Sequence, residues 1–382
     1  MFSVTYLSII FSSFIIISCS KTFSINYEEL LGKFHCYIGL DKCNQAYIEF
    51  DLSIDFFWIS SYSCSVDKLK LLFNNETTNI IVPPNYETST NILYGSLILN
   101  SSSSIKNIRM YYVPQRIAGY FDSIGLAFDN TNQEHSFLFK LKENNHISHL
   151  GFGFFHSIKG VTSRGDVLFG EIPEQYTINK NKFSFKIDLD KKKWGSYIQK
   201  IIIGNLENNY EQKEYYGVFN TNQRYISVPE KVFQWLENIV FIDFINKDIC
   251  KVEKYFISCK AGKLSDFPDM SILLHDHIFK LSPNELFIYT GASYYFIMNK
   301  EKNLKENEWI LGTPLLKKYE SYFDVENKEI SFFSSDNFNK KSNQNFYAIR
   351  ILLILIIIIV SLCTLNFITL KNKMSDAVQI YK

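Results

Sequence analysis

Two stretches of this chain, about 170 residues apart, follow one plan. Phe50-Asp51-Leu52-Ser53-Ile54-Asp55-Phe56-Phe57-Trp58-Ile59 reads as a strand, a sharp polar loop and a second apolar strand. Phe219-Asn220-Thr221-Asn222-Gln223-Arg224-Tyr225-Ile226-Ser227-Val228-Pro229 reads the same way. A chain built on such a repeat folds as two similar lobes, each presenting a polar loop at a strand end, with its site where the lobes meet. Its 382 residues are enough for about two domains with sizeable cores.

The pattern around the repeat is all-β. Apolar or alternating runs recur at Ala46–Phe50, Phe56–Ser60, Lys182–Leu189, Ile198–Ile203 and Glu329–Phe333. Turn clusters separate them at Asn74-Asn75, Pro83-Pro84-Asn85, Asn144-Asn145 and Asn208-Asn209. Only Pro229–Leu236 reads clearly as a short helix, with Pro in its first turn. The 34 Phe and 24 Tyr suit strands.

Two segments stand outside this pattern. Residues 1–20 carry an apolar stretch, Leu7 to Ile17, followed by Ser18-Cys19-Ser20, and read as a signal peptide cut before Lys21. Residues 351–370 hold no charge and are bracketed by Arg350 and Lys371. A helix of that length spans about 30 Å, the thickness of a bilayer core. The expectation is a single-pass type I protein of the secretory pathway, with a polar stalk at 336–350 and a cytosolic tail at 371–382. A formal charge of +1 gives no reason to expect nucleic acid.

Five of the seven Cys lie between these segments: Cys36, Cys43, Cys64, Cys250 and Cys259. An oxidising lumen favours pairing. Cys250 and Cys259 flank a short polar loop and are expected to pair. Cys64 takes Cys43 or Cys36, leaving one over; a Cys/His zinc site is the alternative, without a C-x-x-C spacing to support it. Asn75-Glu76-Thr77 and Asn100-Ser101-Ser102 are glycosylation sequons.

Six landmarks then follow in a fixed order. Ile38-Gly39 precedes Asp51-Leu52-Ser53-Ile54 and Trp58-Ile59. Tyr94-Gly95-Ser96 comes next, then Phe121-Asp122-Ser123-Ile124-Gly125-Leu126-Ala127-Phe128. Asn220-Thr221-Asn222 is followed by Ile226-Ser227-Val228-Pro229, and Pro268–Phe287 reads as a strand pair after a Cys. Last comes Trp309-Ile310-Leu311-Gly312-Thr313-Pro314-Leu315-Leu316-Lys317-Lys318-Tyr319, with Tyr322-Phe323-Asp324 and Asn327. In these landmarks residues 34–335 resemble the pepsin-like aspartic proteases. The resemblance implies a bilobal all-β fold with a central cleft, an N-terminal lobe at 27–170 and a C-terminal lobe at 171–335. It places Asp51 and Asn220 at the two catalytic positions. It makes Leu52, Ser53, Thr221 and Asn222 their supporting loops, and Tyr94 and Gly95 the start of a flap over the cleft.

The mechanism implied by the resemblance needs two carboxylates about 3 Å apart sharing one proton, one acting as base and one as acid on a shared water. Asp51 keeps one. Asn220 supplies an amide of the same shape, which can hydrogen-bond a water but cannot take or return its proton. In the family a Thr in each loop bonds across the junction; Thr221 is kept and Leu52 cannot make its half. Ser53 and Asn222 stand where the family has Gly, and Ile54 and Gln223 where it has small hydroxyl residues. Asn tolerates positive φ, so Asn222 is expected to preserve its turn, and Ser53 less readily. Asp55 reads as a solvated or capping side chain rather than a replacement acid. His275-Asp276-His277 places two His on one strand face without a third ligand, and His146, His149 and His156 form no recognisable site. Neither metal nor cofactor is expected.

The favoured function is a catalytically impaired, membrane-anchored homologue that keeps a cleft for an extended peptide or protein ligand, as a monomer. An active endopeptidase of altered mechanism and a structural surface protein without groove function are the alternatives.

Overall fold

A computed structural model describes residues 22–30, 33–38, 46–54, 57–60, 91–100, 103–113, 122–128, 136–158, 164–211, 213–260 and 264–335. The signal segment 1–20, Cys43, Cys64, Asn75, Asp55, the stalk, the apolar segment 351–370 and the tail lie outside these residues. No helix among the described residues is long and apolar enough to cross a membrane. Apart from Asp276–Ile278, the described residues belong to one compact unit.

Strands dominate, as the short apolar runs predict. The first part holds β1 (Thr22–Leu30), β2 (Lys33–Ile38), β3 (Ala46–Asp51), β4 (Phe57–Ser60), β5 (Asn91–Asn100), β6 (Ser103–Val113), β7 (Asp122–Gly125) and helix α1 (Phe137–Glu143). The middle holds β8 (Gly151–Ile158), β9 (Arg164–Gly170), β10 (Asn181–Lys186), β11 (Gly195–Ile203), β12 (Leu206–Asn209), β13 (Tyr215–Phe219), β14 (Ile226–Val228), α2 (Glu230–Trp235) and α3 (Ile242–Asn246). The last part holds β15 (Cys250–Val252), β16 (Ile257–Cys259), β17 (Met270–Leu274), β18 (His277–Leu281), β19 (Phe287–Tyr289), β20 (Tyr294–Phe296), β21 (Met298–Lys300), β22 (Glu308–Leu311), α4 (Thr313–Lys318), β23 (Glu320–Asp324) and β24 (Glu329–Ser334).

A 12-stranded sheet runs β10-β24-β23-β8-β9-β1-β2-β3-β7-β4-β6-β5. Three of its strands, β10, β23 and β24, come from after residue 171. Alternation explains why they fit. Phe152 and Phe154 of β8 share one face, where Phe152 stacks on Phe323 at 4.9 Å. Phe155 points to the other face and packs with Leu168, Tyr322 and Phe333. Burial on both faces is why β8 carries large aromatic side chains at successive positions, Phe154 and Phe155.

The internal repeat becomes a repeat of topology. β3 runs parallel to β7, while β4 pairs antiparallel with β7 and parallel with β6. In the 8-stranded sheet β13 runs parallel to β22, while β14 pairs antiparallel with β22 and parallel with β21. Each unit delivers its polar loop, 52–54 or 220–223, at the end of the first strand.

Four sequence expectations change. Asn208-Asn209 is not a turn but pairs with Ile201 and Lys200 in β12; the turn lies at Gly204, whose φ of +58° suits glycine. His275 and Asp276 have φ of 43° and 67° and form the turn between β17 and β18, so no strand face presents two His. Helix α1 was hidden in the sequence, though Ser136 caps it by accepting from the Phe139 N–H and Phe137, Leu138 and Leu141 are buried. Helix α4 takes up the Thr313-Pro314 stretch, with Pro in its first turn. The helix expected at 229–236 is present as α2, with Pro229 at its N-cap rather than in its first turn, and Cys250 and Cys259, directly opposite on β15 and β16, form the expected disulfide.

Gly312, between β22 and α4, has no room for a side chain. A Cβ there would lie 2.2 Å from the Tyr225 carbonyl oxygen and 2.3 Å from that of Gln223. Gly312→Ala is expected to destabilise the fold by about 1–3 kcal/mol through overpacking. A urea midpoint equal to wild type would show that the 220–225 backbone yields freely.

Candidate functional site

The two polar loops share part of their hydrogen bonding: the carbonyls of residues 54 and 223 each accept from a neighbouring segment, and each loop closes on its first side chain. In the first, the Leu126 N–H donates to the Asp51 carbonyl at 2.7 Å and the Ala127 N–H to the Ile54 carbonyl at 2.8 Å. In the second, the Asn220 N–H donates to the Leu311 carbonyl at 3.0 Å and the Thr313 N–H to the Gln223 carbonyl at 2.8 Å. Inside each loop a backbone N–H donates two residues back, from Ser53 to Asp51 Oδ1 and from Asn222 to Asn220 Oδ1, both at 2.7 Å. Asn220 therefore occupies in its loop the place that Asp51 occupies in the other.

Thr221 joins the loops. Its side chain is 0% exposed. The hydroxyl donates to the Phe50 carbonyl at 2.5 Å and accepts from the Leu52 N–H at 3.1 Å. The Leu52 side chain is buried in the core and carries no group for a reciprocal bond. Ser53 and Asn222 are not among the positive-φ residues, so neither loop needs glycine's freedom here, and Asn222 is not serving as a left-handed turn residue.

Asp51 is 5% exposed. Burial pushes its carboxyl above the usual carboxylate range, against the opposing pull of Ser53, Asn222 and Lys33. The Ser53 hydroxyl adds a second donor to Oδ1 at 2.5 Å. The Asn222 side chain of the opposite loop is a further polar neighbour that favours the ionised carboxylate. Asn222 Oδ1 accepts from Lys33 Nζ at 3.2 Å, which leaves its amide nitrogen as the group that can face Asp51.

Lys33 and Glu49 enlarge the site beyond the residues that motif reading singled out. Glu49 lies two residues before Asp51, hence on the same side of β3. It is 2% exposed. Its Oε2 accepts from Lys33 Nζ at 3.1 Å, while Oε1 has no partner. Burial pushes Glu49 up to about 7, despite the Lys33 charge. His35 faces Glu49 across β2 and β3, which makes Lys33 the diagonal neighbour. The visible signal was a Glu at an inward position of Tyr47-Ile48-Glu49-Phe50-Asp51; the partner's distance in sequence hid the pair.

The other predicted residues lie elsewhere. Tyr94 and Gly95 stand in β5 opposite Arg109 and Ile108 of β6, and the Tyr94 side chain lies outside the described set. Asn100 ends β5, opposite Ser103. His156 Nε2 bonds the Leu316 carbonyl at 2.7 Å and its Nδ1 meets the Tyr27 hydroxyl, an arrangement of the core. His149 sits between Asp324 at 2.9 Å and Glu326 at 3.1 Å. Among the described residues no group of three His, Cys, Asp or Glu side chains could hold a metal ion.

Comparison with known proteins points the same way. A family model described as eukaryotic aspartyl protease matches residues 104–335. Gastricsin from Cavia porcellus is 23% identical over 143 residues, which is 36% of this chain and 34% of that protein. The matched stretch thus spans about a third of gastricsin. The crystal structure of an aspartic proteinase from Irpex lacteus aligns with a TM-score of 0.61 over 84% of this chain and 99% of its own, at 13% identity, a likeness of fold.

Glu49 gives the site a pH dependence of known sign. Its ordinary value of 4.5 rises to about 7 in the fold, so the fold favours the protonated form. Its contribution to stability is full below 4.5 and is lost as pH rises through 7. Glu49→Gln, neutral throughout, should remove from the stability difference between about pH 4.5 and 7.5 a part on the order of 3 kcal/mol. Urea unfolding of both proteins at both pH values measures it; identical pH slopes would mean that Glu49 titrates as in the unfolded chain.

Proposed function

The chain belongs to the eukaryotic aspartyl protease family, and from that premise we propose that it is a pepsin-type protein whose catalytic pair has lost one acid and whose cleft serves as a binding groove for an extended peptide. The observation that carries this reading is the equivalence of the two loops. Where symmetry puts a second carboxylate, the chain has the Asn220 amide, held by the same 2.7 Å bond that holds Asp51. An amide at that place cannot return a proton to a leaving group. Asp51 Oδ1 also accepts from both the N–H and the hydroxyl of Ser53, so one of its two oxygens is already engaged. Peptide binding in such a groove is strand addition through main-chain hydrogen bonds and depends little on the acid pair.

One observation favours a second reading. Glu49 is a second buried, titratable carboxylate whose ionisation is coupled to Asp51. An endopeptidase of altered mechanism would use it. Against this, Glu49 comes from the same strand as Asp51, whereas an acid pair flanks its water from both loops.

The remaining parts of the proposal rest on sequence: secretion by residues 1–20, N-glycans at Asn75 and Asn100, and a single-pass anchor at 351–370. The full chain should then stay with membranes through an alkaline carbonate wash, and a version ending near Asn345 should be secreted. Retention of the shortened form in the membrane fraction would place the anchor elsewhere.

The functional test is cleavage of a peptide library between about pH 3 and 6. The expected result is no turnover, with a plain extended peptide still binding by calorimetry. A statine-type inhibitor, which draws on charge-assisted bonds to both acids, should lose about 1.5–3 kcal/mol relative to Asn220→Asp. Turnover that Asp51→Ala abolishes would overturn the reading in favour of the altered mechanism.

A further inference from the structure

We propose that Lys33 is a positioning residue of this site: braced by Glu49, it holds the Asn222 amide against the Asp51 carboxylate, so that an amide backed by a lysine, rather than a second acid, is what Asp51 meets across the loop junction. This rests on the reading that the junction faces the bound peptide, and says what the peptide finds there.

The geometry is a chain of four side chains. Glu49 Oε2 takes one N–H of Lys33 at 3.1 Å, and Asn222 Oδ1 takes another at 3.2 Å. With its oxygen committed to an ammonium, the Asn222 amide can present only its NH₂ to Asp51, whose ionised form it favours. Lys33 thereby fixes which way round the amide stands, and polarises the donor that Asp51 receives. Glu49 fixes Lys33 in turn through the 3.1 Å contact of its Oε2, as a carboxylate above about pH 7 and as a neutral acceptor below it. The groups facing Asp51 are Ser53 on its own loop, Asn222 on the opposite loop, Lys33 on β2 and Glu49 two residues back on β3. Those facing Glu49 are Lys33 on β2 and Asp51 on β3.

The positions themselves explain why the bridge exists. Asn222 is equivalent to Ser53 by the hydrogen bonds of the two loops, yet the shorter Ser53 side chain turns back on Asp51 while Asn222 reaches across the junction. A residue without a side chain at 222 would leave both Asp51 and Lys33 without their shared partner. Changing Asn220 alone to Asp would leave the bridge intact, with Asp51 still occupied by Asn222.

The test follows the Asp51 carboxyl by NMR in the full chain, in detergent micelles, labelled with carboxyl-13C aspartate and assigned by loss of signal in Asp51→Asn. Asn222→Gly and Lys33→Met each remove a group that favours the ionised form. Each should move the Asp51 midpoint upward by about half a pH unit or more. In the Asn222→Gly background, Lys33→Met should produce less than half the shift it produces in wild type. Lys33→Arg, which keeps donors to both partners, should restore the wild-type midpoint and carries the comparison with Asn222→Gly if Lys33→Met does not fold. An unmoved midpoint in Asn222→Gly, or fully additive shifts in the double variant, would overturn the bridge. Adding an extended peptide to the same samples separates the two readings. If the variants shift Asp51 as expected while peptide does not, the bridge stands and the binding-groove reading falls.

Discussion

The Thr221 hydroxyl is the joint on which the candidate site turns. It donates to the carbonyl of Phe50 and accepts from the N–H of Leu52, two groups about 170 residues away along the chain, and it does so with no exposure to solvent. A buried hydroxyl satisfied in both directions is costly to break, since either partner left behind would be an unpaired polar group in the interior. That one side chain fixes where Asp51 stands relative to Asn220. The bond is made to backbone on the other side, which is why a leucine at 52 does not dissolve the junction. The peptide group of Leu52 takes part whatever its side chain is.

Charge at the junction follows from the same closeness. Three ionisable groups, Lys33, Glu49 and Asp51, are brought together by β2, β3 and the first loop. Burial resists ionisation of both acids, and a single ammonium serves as counter-charge. An ordinary acid pair would divide one proton between two loops. Here the negative charge is gathered on one side, and the opposite loop contributes amides and a hydroxyl. The electrostatic asymmetry is larger than the single change at residue 220 conveys.

What was legible in the sequence was whatever had a local period or a local repeat. The strand–loop–strand echo at 50–59 and 219–229 foretold two units with the same strand pairing, and Pro229 marked its helix. The failures share a cause. Asn208-Asn209 has turn composition, but pairing with β11 overrode it. His275 and Asp276 sit between two apolar runs and read as strand, although they form the turn. Helix α1 is seven residues long, too short for its period to stand out. Lys33 and Glu49 could not be matched from sequence, because the contact depends on the register of β2 against β3 and on the reach of a flexible side chain.

The sheet that crosses residue 171 also sets an order on the making of the protein. β8 is bordered by β23, some 170 residues later in synthesis, and β10 finds its neighbour in β24. As the chain leaves the ribosome, β8 therefore waits with one edge unpaired, and a row of Phe beside it, until residues 320–334 arrive. Closing so long a loop comes late and slowly. The first half of this chain is not an apprentice domain that folds and then receives a second. It is a half-finished sheet, open to the wrong partner until the last strands described complete it.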